Sequence, residues 1–125
     1  MKYVYEIIPE RGLIKETWNG PITKQDLIEA IYRLIADPQW EKQMNVISDF
    51  RNAELELTTQ EMYEYADWVR QKDSTKYLAI VVSRTLDFGM SRMFEMLTEP
   101  DHYKDSRVFF DLADAEQWIE LKNGD

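Results

Sequence analysis

Residues 78–82 read Leu-Ala-Ile-Val-Val, five apolar side chains in a row within the segment KYLAIVVS at 76–83. A strand with one wet face alternates apolar and polar residues. A short, unbroken and β-branched run is expected of a strand covered on both faces. Helices supply that cover, and strands that alternate with helices form crossovers and a mainly parallel sheet. The rest of the chain then has to provide helices between strands.

It does so at regular spacing. KYVYEII near the start is rich in Tyr, Val and Ile and suits a strand, PERG gives a turn, and LIKETWN suits a second strand. Residues 2–19 therefore predict an antiparallel hairpin, which Gly20 and Pro21 are expected to end. Thr23 opens a helix, with Asp26 three residues on as a capping-box partner. Leu27, Ile28, Ile31, Leu34 and Ile35 recur at helical spacing on one face, and Asp37-Pro38 stops the helix. MNVISDF at 44–50 predicts a short strand, and a second helix over 59–72 carries Met62, Tyr65, Ala66 and Val69 inward. After the central strand, TLDFGMSRMFEMLTE predicts a third helix that buries Met90, Met93, Phe94 and Leu97. RVFFD at 107–111 and LADAEQWIELK complete the order ββαβαβαβα. The expected fold is a single α/β domain over residues 1–125, with five strands in a mixed, mainly parallel sheet and four helices.

Bulk properties narrow the function classes. A chain of 125 residues with 44% hydrophobic content has the size and apolar material for one core. It contains no cysteine, which removes disulfides, thiolate metal sites and cysteine nucleophiles together and fits a reducing compartment. Charges at Lys2, Glu6, Glu10 and Arg11 interrupt the first residues, and no apolar stretch approaches the roughly 18 residues that span a bilayer. The expectation is a cytoplasmic protein with no membrane insertion. A net charge of −9 repels nucleic-acid phosphates and anionic headgroups, so no nucleic-acid partner is expected.

Several segments in fixed order resemble the SpoIIAA-like branch of the STAS superfamily, named for anti-sigma-factor antagonists. They are RGLI at 11–14, G-x-I-T-x-x-D-L at 20–27, DPQW at 37–40, SDFRNAELELT at 48–58, AIVVS at 79–83, FGMSRMFEML at 88–97 and RVFFDLADAEQWI at 107–119. The resemblance covers nearly the whole chain. It implies the fold already read from the strand–helix order, and a kinship with phospho-switched partner-binding modules and, more widely, with lipid-binding domains.

In STAS antagonists a Ser or Thr lies at a helix N-terminus after the third strand, and the resemblance places Thr58 and Thr59 there. A phosphate at that point would meet free N–H groups at the positive end of a helix. This chain departs from the pattern, with Leu57 where Asp precedes the hydroxyl residue and Gln60 where Gly follows. Thr58-Thr59-Gln60-Glu61 is itself a Thr-x-x-Glu capping box, which accounts for the threonines by helix stability alone.

Two other groups are candidates. Asp49, Arg51, Ser83, Arg84 and Asp111 fall at strand carboxyl ends, the usual ligand edge of an open α/β sheet. The competing reading is that Asp111 caps the last helix, Thr85 or Asp87 caps the third, and Asp49 pairs with Arg51. Phe88, Met90, Met93 and Met96 could give the third helix an adaptable interface, although such a stripe is more commonly core. Trp18, Trp40, Trp68 and Trp118 are spread over different elements and read as mixed core and surface residues.

Enzyme chemistry is weakly supplied. His102 is the only histidine, in EPDHYKD, and the sequence contains no nucleophile elbow, Walker loop or GxGxxG. No catalytic residue, metal site or cofactor is expected. The sequence reads as a non-enzymatic binding module, docking a protein partner or a second copy of itself. The alternative is a carrier holding a small apolar molecule or lipid in a pocket between the third helix and the sheet.

Overall fold

The computed structural model describes residues 2–72, 75–98 and 105–123. Its elements run β1 (Tyr3–Ile8), β2 (Leu13–Ile22), α1 (Lys24–Ile35), β3 (Met44–Leu55), α2 (Thr59–Arg70), β4 (Thr75–Val81), α3 (Thr85–Thr98), β5 (Asp105–Phe109) and α4 (Leu112–Asn123). The strands form one sheet in the order β1-β2-β3-β4-β5. β1 and β2 are antiparallel, and every later pair is parallel. This is the α/β architecture expected from the strand–helix alternation. Among the described residues no helix is long and apolar enough to cross a membrane. His102 lies outside the described residues.

Two strand boundaries differ from the sequence reading. β2 does not stop at Asn19 but runs on through Gly20 and Pro21 to Ile22. β1 pairs with β2 only as far as Trp18, opposite Tyr3, so beyond that point β2 has only β3 beside it. A strand bordered on one side tolerates a proline without N–H, and Gly20 supplies a φ of +78°. β3 is likewise longer than predicted and extends past Arg51 to Leu55. The ladder shifts register between Thr17 and Asn19, then resumes with Gly20 opposite Ala53 and Ile22 opposite Leu55.

Strand alternation sends side chains to two unequal layers. Trp18, Phe50, Ile80 and Val108 face α1, α2 and α3 in the larger core. Ile14 and Val46 point the same way, against Leu34. Their neighbours Leu13, Ile47, Ala79 and Val81 face α4, where Ala115, Trp118 and Ile119 cover them. β4 is thus covered on both sides, as its unbroken apolar run predicts.

The helix starts follow the sequence signals. Thr23 caps α1, accepting from the Asp26 N–H at 3.2 Å while the Asp26 carboxylate accepts from the Thr23 N–H at 2.9 Å. α1 buries Leu27, Ala30 and Leu34, and α2 buries Met62, Ala66 and Val69. α3 departs from expectation. Its fully buried stripe is Asp87, Ser91, Phe94, Glu95 and Thr98, whereas Met90, Met93 and Leu97 pack on the core only partly buried. Asp87 explains part of this inversion. Its Oδ1 accepts the Leu55 N–H at 3.0 Å and its Oδ2 pairs with Arg84 Nε at 3.1 Å, which ties the end of β3 to the start of α3.

Candidate functional site

On the three-helix side of the sheet lies a cavity of about 100 Å³. Ile31, Leu34 and Ile35 of α1, Met62 and Tyr65 of α2, and Ser91 and Phe94 of α3 form its helical wall. The sheet contributes Val46, Phe50, Leu55, Leu78 and Ile80, which are apolar, and three polar side chains, Glu16, Ser48 and Thr75. Among the described residues, no Lys, Arg or His lines it.

Register explains how a carboxyl reaches this place. Ile14, Glu16 and Trp18 are alternate residues of β2 and point to the same face. Glu16 sits directly opposite Ser48 in the parallel β2–β3 ladder. Glu16 is 9% exposed and Ser48 5%. Ser48 Oγ lies 2.5 Å from Glu16 Oε1, and Tyr3 Oη lies 2.5 Å from Glu16 Oε2. Trp18 Nε1 donates to Ser48 Oγ at 3.3 Å. The indole is fixed in turn by ring stacking on Phe50 at 5.2 Å and by Tyr3 at 4.4 Å. Buried polar groups are costly unless bonded, and each member of this cluster has a partner.

Burial is the largest influence on Glu16. It raises the carboxyl above its ordinary value near 4.5, and the hydrogen bonds from Ser48 and Tyr3 pull it down without offsetting the desolvation. Tyr3 is likewise raised, first by burial and then by the neighbouring Glu16 charge. The arrangement is a mainly apolar space with the Glu16 carboxyl and the hydroxyl-bearing side chains of Ser48, Tyr65, Thr75 and Ser91 on its wall. Such a wall orients a polar group on a mostly apolar guest.

A second, more polar cleft of about 350 Å³ lies beyond Trp18, which lines both spaces. Lys2, Asp26, Glu29 and Arg33 line it with Tyr3. Lys2 and Asp26 already pair there at 3.0 Å.

The sequence-predicted residues fall elsewhere. Thr58 is the N-cap of α2. Its Oγ1 accepts from the Glu61 N–H at 3.0 Å, and Glu61 Oε1 accepts from the Thr58 N–H at 3.0 Å. Thr59 is the first residue of α2. At the strand ends, Arg51 Nε and Nη2 grip the Asp49 carboxylate at 2.9 and 2.8 Å. Burial pushes the Asp49 carboxyl up, but the Arg51 bonds and charge outweigh it and leave it below the ordinary carboxylate value. Ser83 Oγ donates to the Arg51 carbonyl at 2.8 Å, and Arg84 pairs with Glu54 at 3.4 Å as well as with Asp87. Asp111 caps α4, accepting from the Ala113 N–H at 2.7 Å. The five residues at this edge are thus engaged in bonds within the chain.

Of the interface candidates, Phe88, Met90 and Met93 pack partly buried against the larger core, and Phe88 stacks on Phe110 at 4.8 Å. Met96 is exposed at 66%. Trp18 and Trp40 both reach the cavity, while Trp118 packs from α4 onto the other face of the sheet. Among the described residues, no three His, Asp or Glu side chains gather as a metal site.

The cavity residues that the sequence reading did not single out are Glu16 and Ser48. A glutamate between Ile14 and Trp18 on one strand face is a detectable signal, because an acid at an inward position is rare unless paired.

Neither a protein-family profile nor a curated protein sequence matches the chain. A solved structure does, from Shewanella loihica. It is an uncharacterised protein of the DUF3478 family with a SpoIIAA-like fold, aligning over 94% of this chain and 93% of its own with a TM-score of 0.60 and 15% identity. The five-stranded sheet, its helices and this alignment together give the chain a SpoIIAA-like fold.

Proposed function

We propose that this chain is a non-catalytic binding module that holds a small, mainly apolar molecule in the cavity beneath α1, α2 and α3. The observation that carries the reading is the cavity itself, about 100 Å³ of space lined by apolar side chains with a buried Glu16–Ser48 pair on its wall. Protein interiors pack with few voids larger than a water molecule. A concave, mainly apolar space with a few polar groups on its wall is the usual form of a small-molecule site. The wall is also wider than a cleft between the third helix and the sheet, since α1 supplies much of it.

Docking of a protein partner or a second copy through α3 has less support. Phe88, Met90 and Met93 are engaged with the core, which leaves Leu86 and Met96 as its exposed large apolar side chains, at 64% and 66%. Non-catalytic action rests on the lining, where among the described residues Glu16 is the one carboxyl and no histidine or lysine accompanies it. The absence of cysteine from the sequence agrees with work in the cytoplasm.

Native mass spectrometry of the protein purified from its own host tests this reading. The expected result is a chain carrying a small extra mass that is lost on denaturation. A bare chain recovered in a stable complex with another protein would overturn it.

A further inference from the structure

We propose that the cavity selects an uncharged guest of at most about six non-hydrogen atoms with a single hydroxyl or carbonyl group that bonds to Ser48, and that it rejects the corresponding carboxylate and ammonium. The proposal rests on the binding reading above and adds the chemical class of the guest. The upper size follows from the precedent that a larger apolar cavity, of about 150 Å³, takes benzene, against about 100 Å³ here.

The head-group chemistry follows from the hydrogen-bond count at Ser48. Its oxygen accepts from Trp18 Nε1 and shares a proton with Glu16 Oε1. A hydroxyl offers one donor and two acceptor sites. When a neutral Glu16 donates to Ser48, both acceptor sites are taken, and the Ser48 proton is left to point at a guest oxygen. When Ser48 donates to Glu16, one of its lone pairs is left to accept from a guest hydroxyl. An alcohol satisfies either arrangement, and a ketone or ester satisfies the first.

Charged heads fit neither. A guest carboxylate would lie beside Glu16 in a mainly apolar space with, among the described residues, no Lys, Arg or His on its wall. Bringing it in ionised costs desolvation with nothing to compensate. A guest ammonium would need an ionised Glu16 as its counter-ion, and taking both charges out of water in this mainly apolar space costs as much as their pairing returns.

The test is calorimetric titration of the unmodified chain with three probes of equal length, 1-pentanol, pentanoate and pentylammonium, at neutral pH. Pentanol is expected to bind at least about tenfold more tightly than either ion, and Ser48→Ala to weaken it about fivefold, the worth of one hydrogen bond. Equal or tighter binding of pentanoate or pentylammonium overturns the selectivity and leaves the cavity reading standing. Failure of all three probes to bind overturns the cavity reading and this inference with it. The three-probe comparison needs no variant, so a folding defect in Ser48→Ala does not blunt it.

Discussion

Glu16 and Ser48 face each other across the parallel β2–β3 ladder, with Ser48 Oγ 2.5 Å from Glu16 Oε1. This cross-strand pair puts the one carboxyl of the cavity wall where water does not solvate it. The folded protein holds Glu16 above its ordinary value near 4.5, so it keeps a proton that the unfolded chain releases. The linkage is that of a raised acid. Its contribution to stability is fully present below about pH 4.5 and is lost as pH rises from there toward the folded value.

Glu16→Gln keeps the shape and removes the titration. Stability relative to the parent is expected to shift in the variant's favour as pH rises above about 5, by at most about 1.4 kcal/mol per pH unit. Urea unfolding of both proteins from about pH 5 to about pH 8 checks it. Parallel stability curves would show that Glu16 ionises normally in the fold.

Thr58 and Glu61 satisfy each other's backbone N–H groups at the start of α2. Thr58→Ala should therefore cost about 1 kcal/mol of unfolding free energy, whereas Thr59→Ala, at the first helical position, should change it by less than about 0.5 kcal/mol. Chemical denaturation distinguishes the two. Equal losses from both would remove the capping account of this threonine pair.

Asp87 is fully buried and holds the Leu55 N–H and the Arg84 guanidinium at once. Asp87→Ala leaves the buried Leu55 N–H without its acceptor and Arg84 with Glu54 alone, with an expected loss of about 2 kcal/mol. Asp87→Asn retains an acceptor for Leu55 and should lose less. A near-neutral Asp87→Ala in urea titration would mean that the β3–α3 junction is held by packing alone.

Met96 stands exposed on α3. Met96→Lys is expected to change stability by less than about 0.5 kcal/mol and to leave the sedimentation coefficient as it was. A shift to a smaller sedimenting species would reinstate α3 as an interface.

Much of this molecule can be read from its sequence. The apolar run of β4, the helical spacing of α1 and α2, and the Thr-x-x-Asp and Thr-x-x-Glu caps each carry a local physical signal that the structure repeats. The misread strand ends have one cause. Gly20-Pro21 and the charged stretch after Phe50 resemble punctuation, but the pairing of the end of β2 with β3 and the inward Ala53 and Leu55 keep both strands going. α3 was legible as a helix and not as to its buried face, because Asp87, Ser91 and Glu95 are polar and only tertiary partners bring such residues inside. The alternative reading from the sequence set an apolar pocket between α3 and the sheet, whereas the cavity is walled by α1 and α2 as well. Its polar wall was not legible, since placing Glu16 opposite Ser48 requires the register of two strands separated by α1.

The central claim is that the space under α1, α2 and α3 is where a guest binds. Methyl chemical-shift mapping of the folded protein during titration with 1-pentanol tests this most directly. The account predicts perturbations concentrated at Ile31, Leu34, Met62 and Leu78 on the cavity wall. Perturbations confined to the exposed Leu86, Met96 and Leu121 would contradict it.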